Sequence, residues 1–200
     1  MVKESLQFFA DELNKYLISK GINTIDTPRV VLGNATRAYD ENTPGGFTAI
    51  NNRAIISLVN IEEDRVSKQQ ENYTRTVTSV RYKNPPLFLN IYMLISLNRN
   101  SYSDSLIWLG HVLQYFQFQN VFTPVSHPSL DSRIEKLIVE LYSLTFEQVN
   151  HLWSVLGGKY LPSVLYKVRQ VTVDEDVAVS ESGFIKEIQL DEKVIQPVTA

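Results

Sequence analysis

The sequence predicts an α+β domain: a mixed, mainly antiparallel β-sheet packed by about three α-helices. Three observations predict it. Residues 87–97 alternate strictly, with Leu87, Leu89, Ile91, Met93, Ile95 and Leu97 on one side and Phe88, Asn90, Tyr92, Leu94 and Ser96 on the other, which is the period of a strand. Residues 2–19 space Leu6, Phe9, Ala10, Leu13 and Leu17 by three and four, which is the period of a helix. Residues 141–171 join strand, capped helix, double-glycine stop and strand with almost no slack.

Taken in order, the first helix keeps Lys3, Glu4, Asp11, Glu12 and Lys15 on its wet side and ends at Gly21. Residues 30–32 form a short strand. A long polar loop follows, centred on Pro44-Gly45-Gly46, and loops of that length are usually functional or disordered. Residues 54–61, AIISLVNI, read as a strand buried on both faces. Residues 62–84 turn polar, with an exposed strand at 74–82, and make a hairpin or arm. Pro85-Pro86 ends it and introduces the alternating strand.

Ser103 or Asp104 then caps a helix over 105–118, with Leu106, Leu109, Leu113 and Phe116 as its buried face. Residues 134–144 form a strand with Leu137, Val139 and Leu141 inward. Thr145 and Gln148 are a capping box, so a helix starts at Phe146. Val149, Leu152, Trp153 and Leu156 share one of its faces, and Gly157-Gly158 supplies the left-handed stop. Residues 164–171 are a β-branched and aromatic strand. The chain divides into a body, 1–173, and an acidic tail or hairpin, 174–200, in which seven acids face two lysines and Ser182-Gly183 is the candidate turn.

Composition removes several function classes. The net charge is −3 and no segment concentrates Lys or Arg, so nucleic acid is not an expected partner. The absence of cysteine removes disulfides, thiolate metal sites and thiol nucleophiles, and fits an intracellular chain. The acidic, amphipathic N-terminus is unlike a secretory signal, and no apolar run is long enough to span a bilayer. No membrane role is expected.

Catalytic constellations are weak throughout. His111, His127 and His151 lack the spacing that puts two ligands on one metal and read as structural or solvated. Glu62-Glu63-Asp64 has the chemistry for a cation or an acid–base pair, against a more ordinary solvated strand end. Gly157-Gly158-Lys159 is no phosphate loop: Trp153 replaces the first glycine, Tyr160 replaces the Ser or Thr, and the glycines follow a helix instead of opening one. Ser163 lacks the glycines of a nucleophile elbow. Tyr92, Tyr102, Tyr115, Tyr142, Tyr160 and Tyr166 either roof the sheet or anchor a protein interface.

Two stretches carry a family resemblance. NPPLFLNIYMLIS with YSDSLIWLGHVLQYFQFQNVFT, and more sharply IEKLIVELYSLTFEQVNHLWSVLGGKYLPSVLYKVRQV, resemble the cap, or tail-terminator, proteins of contractile injection systems of the antifeeding-prophage and virulence-cassette kind. The hallmark positions are Asn150, Trp153, Leu156, Gly157, Tyr160, Pro162, Ser163, Tyr166 and Arg169. With Gly158, these supply the candidate motif and interface residues. The resemblance takes in the first helix, Val31-Leu32-Gly33-Asn34 and the 57–63 strand end, and leaves out 35–52, 64–83 and the tail. It implies a tail-terminator-like fold and a structural protein, not an enzyme, with no catalytic residue, metal or cofactor to carry over. The implied role is a ring homo-oligomer, expected to be a hexamer. It would end growth of the inner tube protein and hold the last ring of sheath protein. A ring subunit needs two different patches on one body. The polar segments 35–52, 62–84 and 174–200 are candidates for reaching neighbours by strand addition, and Arg169 for an ion pair within the domain or to a neighbour. The alternatives are an assembly chaperone or adaptor of the same particle, or a small-molecule-binding domain using the tyrosines and the 62–64 acids.

Overall fold

The computed structural model describes residues 1–22, 29–39, 50–64, 73–75, 79–82, 86–157, 159–173 and 180–183. Its elements are α1 (Val2–Ser19), β1 (Val30–Leu32), a 3-10 turn (Ala35–Tyr39), β2 (Arg53–Glu63), β3 (Tyr73–Arg75), β4 (Ser79–Tyr82) and β5 (Leu87–Asn98), then α2 (Tyr102–Phe118), β6 (Val121–Phe122), β7 (Leu137–Leu141), α3 (Phe146–Val155), β8 (Ser163–Val173) and β9 (Ser180–Gly183). Contacts separate two units, one holding Met1–Lys68 with Leu87–Val173, the other Gln69–Pro86 with Asp174–Ala200.

The first unit is built on a six-stranded sheet in the order β1-β2-β5-β8-β7-β6. Only the β1–β2 pair is parallel, so the expected mixed, mainly antiparallel sheet with three α-helices is what forms. β5 lies between β2 and β8 and is buried on both sides. Its alternation divides the core: Ile91, Met93, Ile95 and Leu97 face a cluster with α1 and α2, while Tyr92 and Leu94 face a second cluster with the 3-10 turn and α3. The expected stripe of α1, Leu6 to Leu17, is fully buried in the first cluster. Gly21, at φ +81°, closes α1: its N–H donates to Ile18 O and that of Ile22 to Leu17 O.

α2 departs from expectation. It starts at Tyr102, one turn early, because Ser101 and not Ser103 or Asp104 is the cap, its Oγ accepting from Asp104 N at 3.4 Å. Its buried face is Ser105, Trp108, Val112, Tyr115 and Phe116, whereas Leu106 and Leu113 are exposed. A helix apolar nearly all round carries little information about its own orientation, and its bulkiest rings go inward: Phe116 stacks on Tyr166 at 4.7 Å and Phe9 at 5.8 Å. Arg99 fastens the β5–α2 corner, its guanidinium 4.2 Å from the Trp108 ring and donating to Asn52 O at 2.9 Å.

Three strand expectations change as well. β2 is buried at Ala54–Ser57 but exposes Leu58 at the edge of a bulge between Leu58 and Asn60, and Ile61 beyond it. β7 buries Leu137 and Val139 and exposes Leu141, where the sheet outruns its helical cover. Ser182 and Gly183 are no hairpin turn: they pair with Val80 and Ser79 in the three-stranded sheet β3-β4-β9 of the second unit. The β3–β4 ladder agrees with the hairpin expected within 62–84, although the one strand expected at 74–82 is two, Tyr73–Arg75 and Ser79–Tyr82, paired antiparallel. Pro44-Gly45-Gly46 and the rest of the tail lie outside the described residues.

Candidate functional site

The marked residues cluster on the β7–α3–β8 segment. The capping box forms as the spacing requires: Thr145 Oγ1 accepts from Gln148 N at 3.3 Å and Gln148 Oε1 from Thr145 N at 2.9 Å. Gly157, at φ +95°, stops the helix. Gly158 lies outside the described residues. Ten residues are too few for a stable helix alone, so packing must hold α3. Trp153 is its one buried side chain, set edge-on to Tyr160 at 5.5 Å, while Val149, Leu152 and Leu156 pack half-buried on the second cluster.

The remaining hallmark residues separate. Pro162 is buried, and its carbonyl accepts from Leu97 N at 2.9 Å, fixing the start of β8 to the end of β5. Tyr166 faces the first cluster, on the side of the sheet away from Trp153, where burial pushes its phenol pKa up. Asn150 is exposed, its backbone oxygen accepting from Ser154 Oγ at 2.8 Å. Arg169 pairs within the domain, Nη1 lying 3.2 Å from Glu140 on the neighbouring strand. Trp153, Gly157, Pro162, Tyr166 and Arg169 therefore belong to packing, turn or ladder, and Asn150 and Tyr160 are left on the surface.

Between α3 and the β7–β8 edge lies a cavity of about 280 Å³, lined by Leu94, Leu141, Tyr142, Leu144, Val149, Leu152, Trp153, Tyr160 and Leu165 among others. Two of the lining side chains, Leu141 and Tyr160, are exposed. Beyond α3 the same sheet face is polar. Tyr92 donates to Glu62 at 2.7 Å, and Lys167 lies 3.5 Å from Glu62 and 5.5 Å from the Tyr92 ring. Burial, then the Glu62 acceptor, pushes the Tyr92 phenol up. Glu62 is thus the partner of a lysine and a phenol. Glu63 and Asp64 are engaged too.

The histidines stand apart. His111 lies on α2 near Tyr16, His127 stacks on Phe122 at 5.0 Å, and His151 is exposed on α3. Among the described residues no three His, Asp or Glu gather as metal ligands. Tyr92, Tyr115 and Tyr166 are buried roof or core, whereas Tyr102, Tyr142 and Tyr160 are exposed. No described helix is long and apolar enough to cross a membrane.

Two features escaped sequence reasoning. One is the outward face of α2, where Tyr102, Leu106, Ile107, Leu113 and Phe118 are all exposed. The available signal was the lack of any Asp, Glu, Lys or Arg from 105 to 118. The other is Asn14, half-buried on α1 where the helix faces β1. Its Nδ2 donates to Val30 O at 2.8 Å and to Ala10 O at 2.9 Å, and its Oδ1 accepts from Val30 N at 3.0 Å and Arg29 N at 2.9 Å. A lone asparagine gives no sequence signal for that.

The fold and its marked residues define a mixed α+β module whose distinctive positions build a capped helix, a packed sheet and an apolar surface. The chain belongs to the family described as the Pvc16 N-terminal domain, which it matches over residues 6–187. Two solved structures share similarity with it. The PVC sheath/tube terminator of an extracellular contractile injection system, in its extended state, is 15% identical with TM-score 0.48, covering 73% of this chain and 52% of that one. The anti-feeding prophage tube-terminating cap is 14% identical with TM-score 0.49, covering 70% and 50%. The chain thus spans about half the length of these structures. No curated protein matches it.

Proposed function

We propose that this chain is a structural cap of a contractile injection particle, forming a ring, with six copies expected, on the distal end of the inner tube. There it stops tube growth and holds the last sheath ring. The observation that carries this reading is family membership across residues 6–187. The cap-protein resemblance of 134–171 supports it. The geometry is compatible: a cap acts by shape and contact, and the chain carries apolar surface on both sides of one sheet. Residues 1–173 would form the body, and 174–200 a segment that reaches a neighbour. Asn150 and Tyr160 would take part in contacts, with Trp153, Gly157, Gly158, Pro162, Tyr166 and Arg169 holding the surface that presents them.

The test is the length distribution of particles, by electron microscopy, from cells with and without this chain. Tubes of uncontrolled length, or particles that shed their sheath, are expected without it. Unchanged length and integrity would overturn the cap reading.

A further inference from the structure

We infer that Asn14 on one side and Gln119 with Ser126 on the other hold the six-stranded sheet shut at its two edges, so that strands of other chains do not add there. The inference stands whether or not the chain caps a tube.

Both edge strands are short but wholly apolar. β1 reads Val-Val-Leu and β6 Val-Phe, and neither carries the lysine, proline or inward-pointing charge that commonly keeps edge strands apart. A strand edge turns N–H and C=O groups outward at every second residue, and an uncharged edge with those groups free pairs with the extended chains it meets.

In this fold the outward groups are taken by side chains. On β1 the outward residue is Val30, and the Asn14 carboxamide donates to its oxygen at 2.8 Å and accepts from its N–H at 3.0 Å. Asparagine is a poor residue for the middle of a helix, yet Asn14 stands within α1. On the other edge Val139 N donates to Asn120 O at 2.8 Å, so Asn120 and Phe122 face β7 while Val121 and Thr123 face away from it. The Gln119 carboxamide donates to Val121 O. Ser126 Oγ accepts from Thr123 N at 3.2 Å and lies 3.1 Å from Thr123 O, which also accepts from His127 N at 2.8 Å. Two edges with no sequence in common are thus closed by one device, a side chain standing where a strand would stand. Among the described residues, what remains outward is the Val121 N–H and, each at the last residue of its strand, Leu32 and Leu141. Isolated groups make no ladder.

The test compares forms of the full chain, each held the same interval below its own melting temperature and followed by light scattering. Asn14→Ala with Gln119→Ala and Ser126→Ala opens both edges and should aggregate about ten times faster than the parent, the factor that one outward hydrogen bond is worth. Trp153→Ala, weakened in its packing with both edges closed, should match the parent. Asn14→Lys in place of Asn14→Ala gives up the carboxamide but sets a charge on the β1 edge, so it should slow aggregation again without restoring the melting temperature. Should the triple variant fail to fold, Gln119→Ala with Ser126→Ala opens the β6 edge alone, at two residues outside both clusters, and should still aggregate faster than the parent. Open edges that aggregate no faster than the parent, or no faster than Trp153→Ala, overturn the inference. So does Asn14→Lys that aggregates as fast as Asn14→Ala.

Discussion

Replacing Asn14 with alanine should cost this domain about 2–3 kcal/mol, although the residue lies outside both hydrophobic clusters. β1 is the edge strand of the six-stranded sheet. Its Arg29 oxygen accepts from Ala54 N at 2.8 Å, and Gly33 N donates to Ile56 O at 3.1 Å, so residues of that parity bond to β2 and Val30 turns its amide outward. The Asn14 carboxamide meets both outward groups of Val30 and the Arg29 N–H, doing for the edge what one more strand residue would do. Truncation leaves two donors and an acceptor to find water. Each lost hydrogen bond is worth about 0.5–1.5 kcal/mol net. The space between α1 and β1, lined by Asn14, Ile18 and Val30 among others, admits water and keeps the sum at the lower end of that range. Thermal unfolding should show a loss of roughly 5–10 °C, with faster hydrogen exchange at the Ala54 amide. Asn14→Asp keeps the acceptor but sets an oxygen against Val30 O, so it should be no better than alanine. A melting temperature within about 1 °C of the parent for Asn14→Ala would refute the clamp.

Trp153→Ala should cost about 3–4 kcal/mol, because α3 has no other buried side chain to hold it; urea midpoints measure this, and a loss below about 1 kcal/mol would show α3 held by other means. At Gly33 an added β-carbon would lie 2.9 Å from Ile50 Cγ2 and 3.1 Å from Ile55 Cγ2, so Gly33→Ala should destabilise by about 1–3 kcal/mol, and an unchanged midpoint would mean the two isoleucines yield freely. Hydrogen bonds from the Arg133 side chain and backbone hold the Asp131 carboxyl well below the usual range. A depressed carboxylate contributes stability above its unfolded pKa and loses it as pH falls through the folded one. NMR titration should show Asp131 moving up towards the ordinary range in Arg133→Gln, which removes the guanidinium and keeps the backbone bond, and an unmoved titration would refute the side-chain pairing as its main cause.

What the sequence made legible follows from where the information sits. α1 and β5 were readable because each must bury its apolar residues against one body, and period alone then sets the face. α3 was readable because its capping box and glycine stop are local chemistry. α2 was partly misread because Leu106 and Leu113 offer as good a stripe with Phe116 as Trp108 and Val112 do, and only the shape of the first cluster decides between them. Leu141 and Ile61 kept the strand period but ran past their helical cover, which is a tertiary fact. The candidate site was legible as a segment and not as a surface. Trp153 and Tyr166 carry equal weight in the sequence yet fall on opposite sides of the sheet, and the outward face of α2 emerges only after the inward one is assigned.

The central place of β5 also governs when this protein becomes competent. Leu87 pairs with Val173 and Ser96 with Ser163, so one whole flank of the strand waits for the last part of the body to be synthesised. Until β8 leaves the ribosome, the β5 edge and both half-built cores stand open, and surfaces on either side of the sheet cannot form. Ladders between such distant segments close slowly, in the millisecond-to-second range expected for non-local sheets, and stopped-flow refolding in microseconds would contradict this. The six-stranded sheet is therefore complete only once the chain has been made through Val173.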